Sequence, residues 1–127
     1  MRFFVFSTMK AGTMFLHKLL EEVATAGHIT HYSLNYPPED PRHLPSEDTS
    51  NLTKYVNKPG CYGPFRHYFP IENPEDARII LHFRDPRDVL TSMYFYQAYH
   101  QKYIPEDVRQ TYVKRGIDQF VFSPRLP

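Results

Sequence analysis

Lys10, Gly12 and Thr13 stand between a short apolar run, Phe3 to Ser7, and an amphipathic stretch that begins near Thr13. A chain that leaves a strand and turns into a helix aims its first N–H groups and the positive end of the helix dipole at one point, where an anion sits well. Gly12 lets the backbone come close to that point, and Lys10 adds a full charge. The chemistry to expect there is phosphate binding. The pattern GxxxxGK[ST] does not fit, because Lys10 precedes the glycine and no glycine lies upstream. A second group lies further on, where Arg84 ends another apolar run and is followed by Asp85, Pro86, Arg87 and Asp88, with Ser92 beyond. Asp85 reads as a helix cap, Pro86 as the first helical residue and Asp88 as an acid in the first turn. Ser92 then shares a face with Asp85 and Asp88, about 10 Å along the axis at ~1.5 Å per residue. An extended arginine spans most of that distance, so Arg84 and Ser92 are placed to touch one phosphate.

Both stretches resemble segments of one family. Met9 to Leu16, MKAGTMFL, is similar to the 5′-phosphosulfate-binding loop of sulfotransferases, PKSGTTWL. Arg84 to Tyr94, RDPRDVLTSMY, is similar to that family's 3′-phosphate-binding segment, in which an arginine at a strand end and a serine further on grip the phosphate. The resemblance implies a three-layer α/β fold with a mostly parallel sheet, of the P-loop NTPase-like sulfotransferase type. It also implies 3′-phosphoadenosine 5′-phosphosulfate (PAPS) as co-substrate, no metal, and transfer of a sulfuryl group to a hydroxyl or amine of a small-molecule or glycan acceptor. The nucleotide contacts it implies are Lys10, Ala11, Gly12, Thr13, Met14, Phe15, Arg84 and Ser92. Met14 and Phe15 depart from the family's Thr and Trp, which removes one phosphate contact, and both read as core residues.

Sulfuryl transfer, like phosphoryl transfer, is an in-line displacement in which positioning and charge stabilisation dominate. Lys10 has the charge to neutralise the leaving phosphate, and a base must take the acceptor's proton. Phe65-Arg66-His67-Tyr68-Phe69-Pro70 resembles the family's Lys-Thr-His-Leu-Pro segment, which gives the base role to His67. His17 and His82 read as packing or helix-face residues, and His28, His31, His43 and His100 have no supporting pattern. Two readings from other classes stay open: a P-loop kinase relative using ATP and Mg²⁺, with Asp85 on the metal, and a non-catalytic remnant. Arg84 also has a plain alternative, an exposed ion pair with Asp88.

The elements that must hold these residues alternate strand and helix. Phe3 to Ser7 reads as a strand covered on both faces. The first helix should bury Leu16, Leu19, Leu20 and Val23, with Gly27 as its C-terminal cap. His28 to Ser33 reads as a second strand, and Asn35 to Pro59 as a long surface loop whose Asn51 sequon is fortuitous. Arg78 to Phe83 reads as the strand that delivers Arg84 to the carboxyl edge of the sheet, where ligands bind in open α/β folds.

Residues 1–127 read as a single, partial domain, since nothing after Tyr94 resembles the Arg-Lys-Gly loop with which the family closes over its nucleotide. A fold truncated at its C-terminus is expected to expose a sheet edge and apolar surface, and to self-associate through them. With 15 Lys plus Arg against 14 Asp plus Glu there is no global basic field, so neither nucleic acid nor membrane is an expected partner. The single cysteine, Cys61, excludes an internal disulfide and leans towards a reducing compartment. No apolar run approaches the ~20 residues of a membrane span, and Met1 abuts the first strand without room for a leader, so the expected location is cytoplasmic.

Overall fold

The computed structural model describes residues 1–45 and 52–122. It is an α/β protein with a four-stranded, all-parallel sheet and three helices, in two compact units, Met1–Phe83 and a second that starts at Arg84.

In the first unit β1 (Arg2–Ser7) is followed by α1 (Thr13–Ala26), β2 (His31–Tyr32), β3 (Gly60–Phe65) and β4 (Ala77–His82), and the strands lie in the order β2-β3-β1-β4. The connection leaving β1 thus heads for one edge of the sheet, and that leaving β3 heads for the other. Such a divergence opens a crevice at the carboxyl ends of the two neighbouring strands.

Side chains of β1 alternate between faces. Phe4 and Phe6 join Tyr62, Phe65 and Phe69 on one side, while Phe3 and Val5 join Leu16, Ala24 and Cys61 on the other. The ring of Phe4 stacks on Tyr62 at 5.3 Å and meets Phe69 edge-on at 6.1 Å. Burying one such side chain contributes about 1.5–3 kcal/mol, so β1 is held from both faces as its continuous apolar run requires. β3 bends where its register on β1 shifts between Phe4 and Phe6. Gly63 sits at that bend with φ 120°, and a Cβ there would lie 2.4 Å from the Val5 carbonyl oxygen. Only glycine fits.

Two expectations need correction, and a third, the Gly27 cap, holds with a different backbone. The buried face of α1 is Thr13, Leu16, His17 and Ala24, with Leu20 half-buried, while Leu19 and Val23 are 45% and 60% exposed. At 100° per residue the helix is rotated by about 60° from the position its leucines suggest, because the ring of His17 packs on His31 and Tyr36. Gly27 does cap α1, its N–H donating to the Val23 carbonyl, but with φ −85°; the left-handed residue is His28, φ 54°. The segment from Asn35 to Pro59 is more than surface loop. Residues 46–51, Asn51 of the sequon included, lie outside the described residues, but Tyr36, Leu44, Leu52 and Val56 are buried and the last three belong to the core beneath Phe4. β4 is an edge strand whose Ile79, Ile80 and Leu81 stay about half exposed, in keeping with the apolar edge expected.

The second unit contains α2 (Pro86–Phe95), a π-helical turn at Tyr96–His100, and α3 (Glu106–Phe122), which breaks at Gly116. Tyr94, Ala98, Tyr112 and Phe120 form its core. No helix of the described residues is long and apolar enough to cross a membrane.

Candidate functional site

The loop between β1 and α1 is built for a backbone concavity. Lys10 and Gly12 both have left-handed backbones, φ 59° and 81°, on either side of the buried Ala11. The Ala11 N–H donates to the Thr8 carbonyl, which tightens the turn, and Gly12 is the N-cap of the 14-residue α1. Alternations of this kind turn successive N–H groups to one side and make anion-binding nests. A Cβ on Gly12 would meet no protein atom within 4 Å, so the positive φ, and not a steric clash with protein, calls for glycine. The cap has no side chain and the first turn of α1 has no acid. Thr13 is buried at the first helical position. Met14 and Phe15 are 56% and 74% exposed and are therefore not core residues: at 100° per residue both lie 100° or more from the middle of the buried face of α1.

Next to this loop a cavity of about 390 Å³ opens at the carboxyl ends of β1, β3 and β4. Ser7, Thr8, Arg66, His67, Tyr68 and His82 contribute to its lining, together with aromatic and aliphatic side chains of the three strands. His67 therefore stands at the edge where ligand chemistry is expected, exposed, two residues past β3. Lys10 does not line this cavity. Ser7 Oγ donates to the Thr8 carbonyl at 3.3 Å and lies 3.1 Å from His82 Nδ1. Thr8 Oγ1 is buried without a hydrogen-bond partner, the kind of orphan that native proteins keep for a reason.

The second predicted group lies in the second unit. Asp85 caps α2 as its sequence suggests, accepting from the Arg87 N–H at 2.9 Å, with Pro86 at the first helical position and Asp88 in the first turn. The Arg87 guanidinium also grips Asp85, and these bonds hold the Asp85 carboxyl below the ordinary carboxylate range. Arg84 Nε donates to Asp88 Oδ2 at 3.4 Å, both side chains about half exposed. Ser92 sits half-buried on α2.

One polar cluster was not legible as a site. His31 is buried with Nε2 2.9 Å from the Gly63 carbonyl and Nδ1 2.9 Å from the Tyr36 hydroxyl. Tyr36 donates to Glu21, accepts from Arg42, and has the Arg42 guanidinium 4.0 Å over its ring. Arg42 also pairs with Asp40 and Glu21. Burial lowers the pKa of His31, partly opposed by the Gly63 carbonyl, and burial lowers that of His17 beside it. Burial, then the bond to Glu21, pushes Tyr36 up to about 12. The cluster ties α1 to β2 and to the bend of β3. Its members are scattered in sequence, and only the apolar setting of His31 and Tyr36 hints at them. Cys61, buried in the core, has its thiol pushed up to about 11 by burial and is inert.

No family model, curated protein or solved structure matches the chain. Among the described residues no group of three or more His, Cys, Asp or Glu is arranged to hold a metal ion.

Proposed function

We propose that the chain is a PAPS-dependent sulfotransferase domain of the P-loop-like type, acting on a hydroxyl or amine acceptor. The observation that carries this reading is the β1–α1 loop, where left-handed Lys10 and Gly12 lead into a helix whose start is neither capped nor charged by a side chain of its own. That donor set, backbone N–H groups plus a lysine, suits the 5′-phosphosulfate. The parallel sheet with its crevice at the ends of β1 and β3 supports the same fold, and Arg84 with Ser92 on α2 suits a second phosphate.

In this reading Ala11, Gly12 and Thr13 supply backbone donors, with Met14 and Phe15 beside them, and Lys10 neutralises the charge that grows on the leaving phosphate. The acceptor lies in the cavity, where an imidazole takes its proton; the sequence resemblance nominates His67. A kinase reading asks Asp85 to bind metal, yet its carboxylate is already engaged as the cap of α2 and by Arg87.

The test is calorimetry of adenosine 3′,5′-bisphosphate against AMP. The bisphosphate should bind about 10- to 100-fold more tightly, the worth of a charge-assisted phosphate contact of ~1.5–3 kcal/mol, and Arg84→Ala should remove the difference. Equal affinities for both ligands in the wild-type chain would sink the reading.

A further inference from the structure

The apolar wall of the cavity at the carboxyl edge lies on one face of the sheet. Phe4 and Phe6 pair in register with Ile79 and Leu81, so these four side chains point to the same side, away from α1. Phe6 packs against Phe65 and Tyr68 with ring centres 5.7 Å and 6.2 Å apart. The wall is therefore a floor of rings beside β1 and β3 that continues as aliphatic side chains on β4. Tyr68, Ile79 and Leu81 are more than half exposed and have apolar area left to bury against a ligand. At about 390 Å³ the space takes a small molecule. Arg66, the residue that follows β3, lines the same cavity. Among the described residues no Asp or Glu lines it, and none pairs with Arg66. A full positive charge beside apolar side chains, where it is screened less than in bulk water, favours an anion and disfavours an ammonium group.

We propose that this cavity selects aryl alcohols that carry an anionic group, and that Arg66 is the specificity-determining residue that holds that group. The proposal rests on the sulfotransferase reading above and narrows its acceptor. An aromatic ring has the shape and polarity to lie offset or edge-on among Phe6, Phe65 and Tyr68. A carboxylate on that ring meets the planar guanidinium of Arg66, which matches it with two N–H donors. The hydroxyl is then directed to Thr8 at the end of β1, two residues before Lys10 in the chain, where that reading puts the sulfuryl donor. There the hydroxyl oxygen bonds to sulfur and its proton passes to the base, the role given to His67. The bond from sulfur to the 5′-phosphate oxygen breaks, and its electron pair stays on the phosphate. An amine of the same shape must bring an ammonium group past Arg66 and lose a proton before it can attack. A sugar would leave most of its hydroxyls against hydrocarbon without partners.

The test uses the full chain and three probes that share a phenol ring and differ in the charge of the side group: para-hydroxyphenylpropionate, para-ethylphenol and tyramine. In titrations followed by nuclear magnetic resonance the acid should bind about three- to tenfold more tightly than ethylphenol, and tyramine most weakly, with the gaps narrowing as salt rises. Arg66→Gln should bring the acid down to the level of ethylphenol. Arg66→Lys, which keeps the charge without the fork, should retain part of the gap. Turnover of PAPS should follow the same order in kcat/KM. Equal affinities for the three probes in the wild type, or an acid preference that persists in Arg66→Gln, overturn the proposal. An acid preference without binding of adenosine 3′,5′-bisphosphate overturns the sulfotransferase reading and leaves the ligand class of the cavity standing. Bisphosphate binding without an acid preference does the reverse.

Discussion

The chain starts two helices with the same grammar, a strand followed by a short basic loop, and finishes them in opposite ways. At α1 the cap is Gly12, the first turn has no acid, and Lys10 precedes it. At α2 the cap is Asp85, Asp88 follows in the first turn, and both nearby arginines are taken up, Arg87 by Asp85 and Arg84 by Asp88. A helix start attracts about half a positive charge's worth of anion. In α2 the protein's own carboxylates supply it, whereas in α1 the sequence supplies none. In the sulfotransferase reading proposed above the two starts do different work: α1 offers its backbone to a ligand, and α2 offers side chains, Ser92 and an Arg84 that must leave Asp88 to bind one. That exchange is feasible, because an exposed pair such as Arg84–Asp88 is worth only about 0.2–1 kcal/mol.

The largest effect is expected where the open start does chemistry. Lys10→Ala should lower turnover by about 10²- to 10³-fold while the affinity for the bisphosphate product changes far less, since the charge is asked to act on a leaving group that develops in the transition state. Single-turnover rates and calorimetry on the same variant separate the two. A loss confined to binding reduces Lys10 to an anchor and makes the two helix starts alike.

The orientation of α1 depends on the His31 cluster, which has no counterpart among the described contacts of α2. His17 and His31 are both held below the ordinary histidine value by burial. The unfolded chain therefore binds protons below about pH 6.5 that the folded chain refuses, so stability is complete above that pH and falls as the pH drops toward the lowered folded values. Lys18 and Arg42 deepen the effect at His17, and Glu21 opposes it. Urea midpoints measured from pH 8 to pH 5 should fall with acid, and His31→Gln should flatten the slope. It should also cost roughly 1–3 kcal/mol at pH 8, the penalty for buried groups left unpaired. A slope unchanged in His31→Gln would remove this cluster as the support of α1.

Converting one start into the other is the direct challenge. Gly12→Ala should cost about 1–2 kcal/mol of stability from its left-handed backbone alone, since the space around it is open. Gly12→Asn and Gly12→Asp tolerate that backbone better, and between them only the charge differs. Gly12→Asp should weaken bisphosphate binding roughly tenfold relative to Gly12→Asn, a difference of ~1.4 kcal/mol. Equal binding by the two would mean that no anion approaches this loop.

Much of this contrast could be read from the chain before its fold. Asp85, Pro86 and Asp88 fall where capping chemistry puts them, because a helix start is a local event decided by neighbours in sequence. β1 and β4 were legible from continuous apolar runs for the same reason. The rotation of α1 was not legible, because it is decided by His17 meeting His31 and Tyr36, residues distant along the chain that a leucine stripe outweighs in any pattern. Nor was the partnership of Ser7 with His82, which exists only because β1 and β4 pair in parallel register. His67 was nominated through its setting in sequence and lines the cavity at the carboxyl edge, as does His82, which reads as packing inside an apolar strand. Side chains that act across a sheet leave no spacing to read.

The smallest expected effect tests the self-occupied start. Asp88→Asn removes the carboxylate that holds Arg84 and keeps nearly the same shape. If Arg84 must leave Asp88 to reach a phosphate, removing the competitor should tighten bisphosphate binding by about the worth of an exposed pair, ~0.2–1 kcal/mol, or up to roughly fivefold. The gain should shrink as salt rises, because the pair being broken is exposed to screening. AMP, which lacks the phosphate assigned to Arg84, should gain little. Stability pulls the other way: α2 loses an acid from its first turn, which costs about 0.3–1 kcal/mol, so a thermal melt falling slightly while bisphosphate affinity rises is the signature. The two ligands are best titrated against Asp88→Asn and Arg84→Ala together with the double variant. In the double variant the gain must vanish, since there is then no Arg84 for the loss of Asp88 to release. A gain that persists without Arg84 would place the effect in the general field of α2, and the second helix start would be no more selective for phosphate than any other.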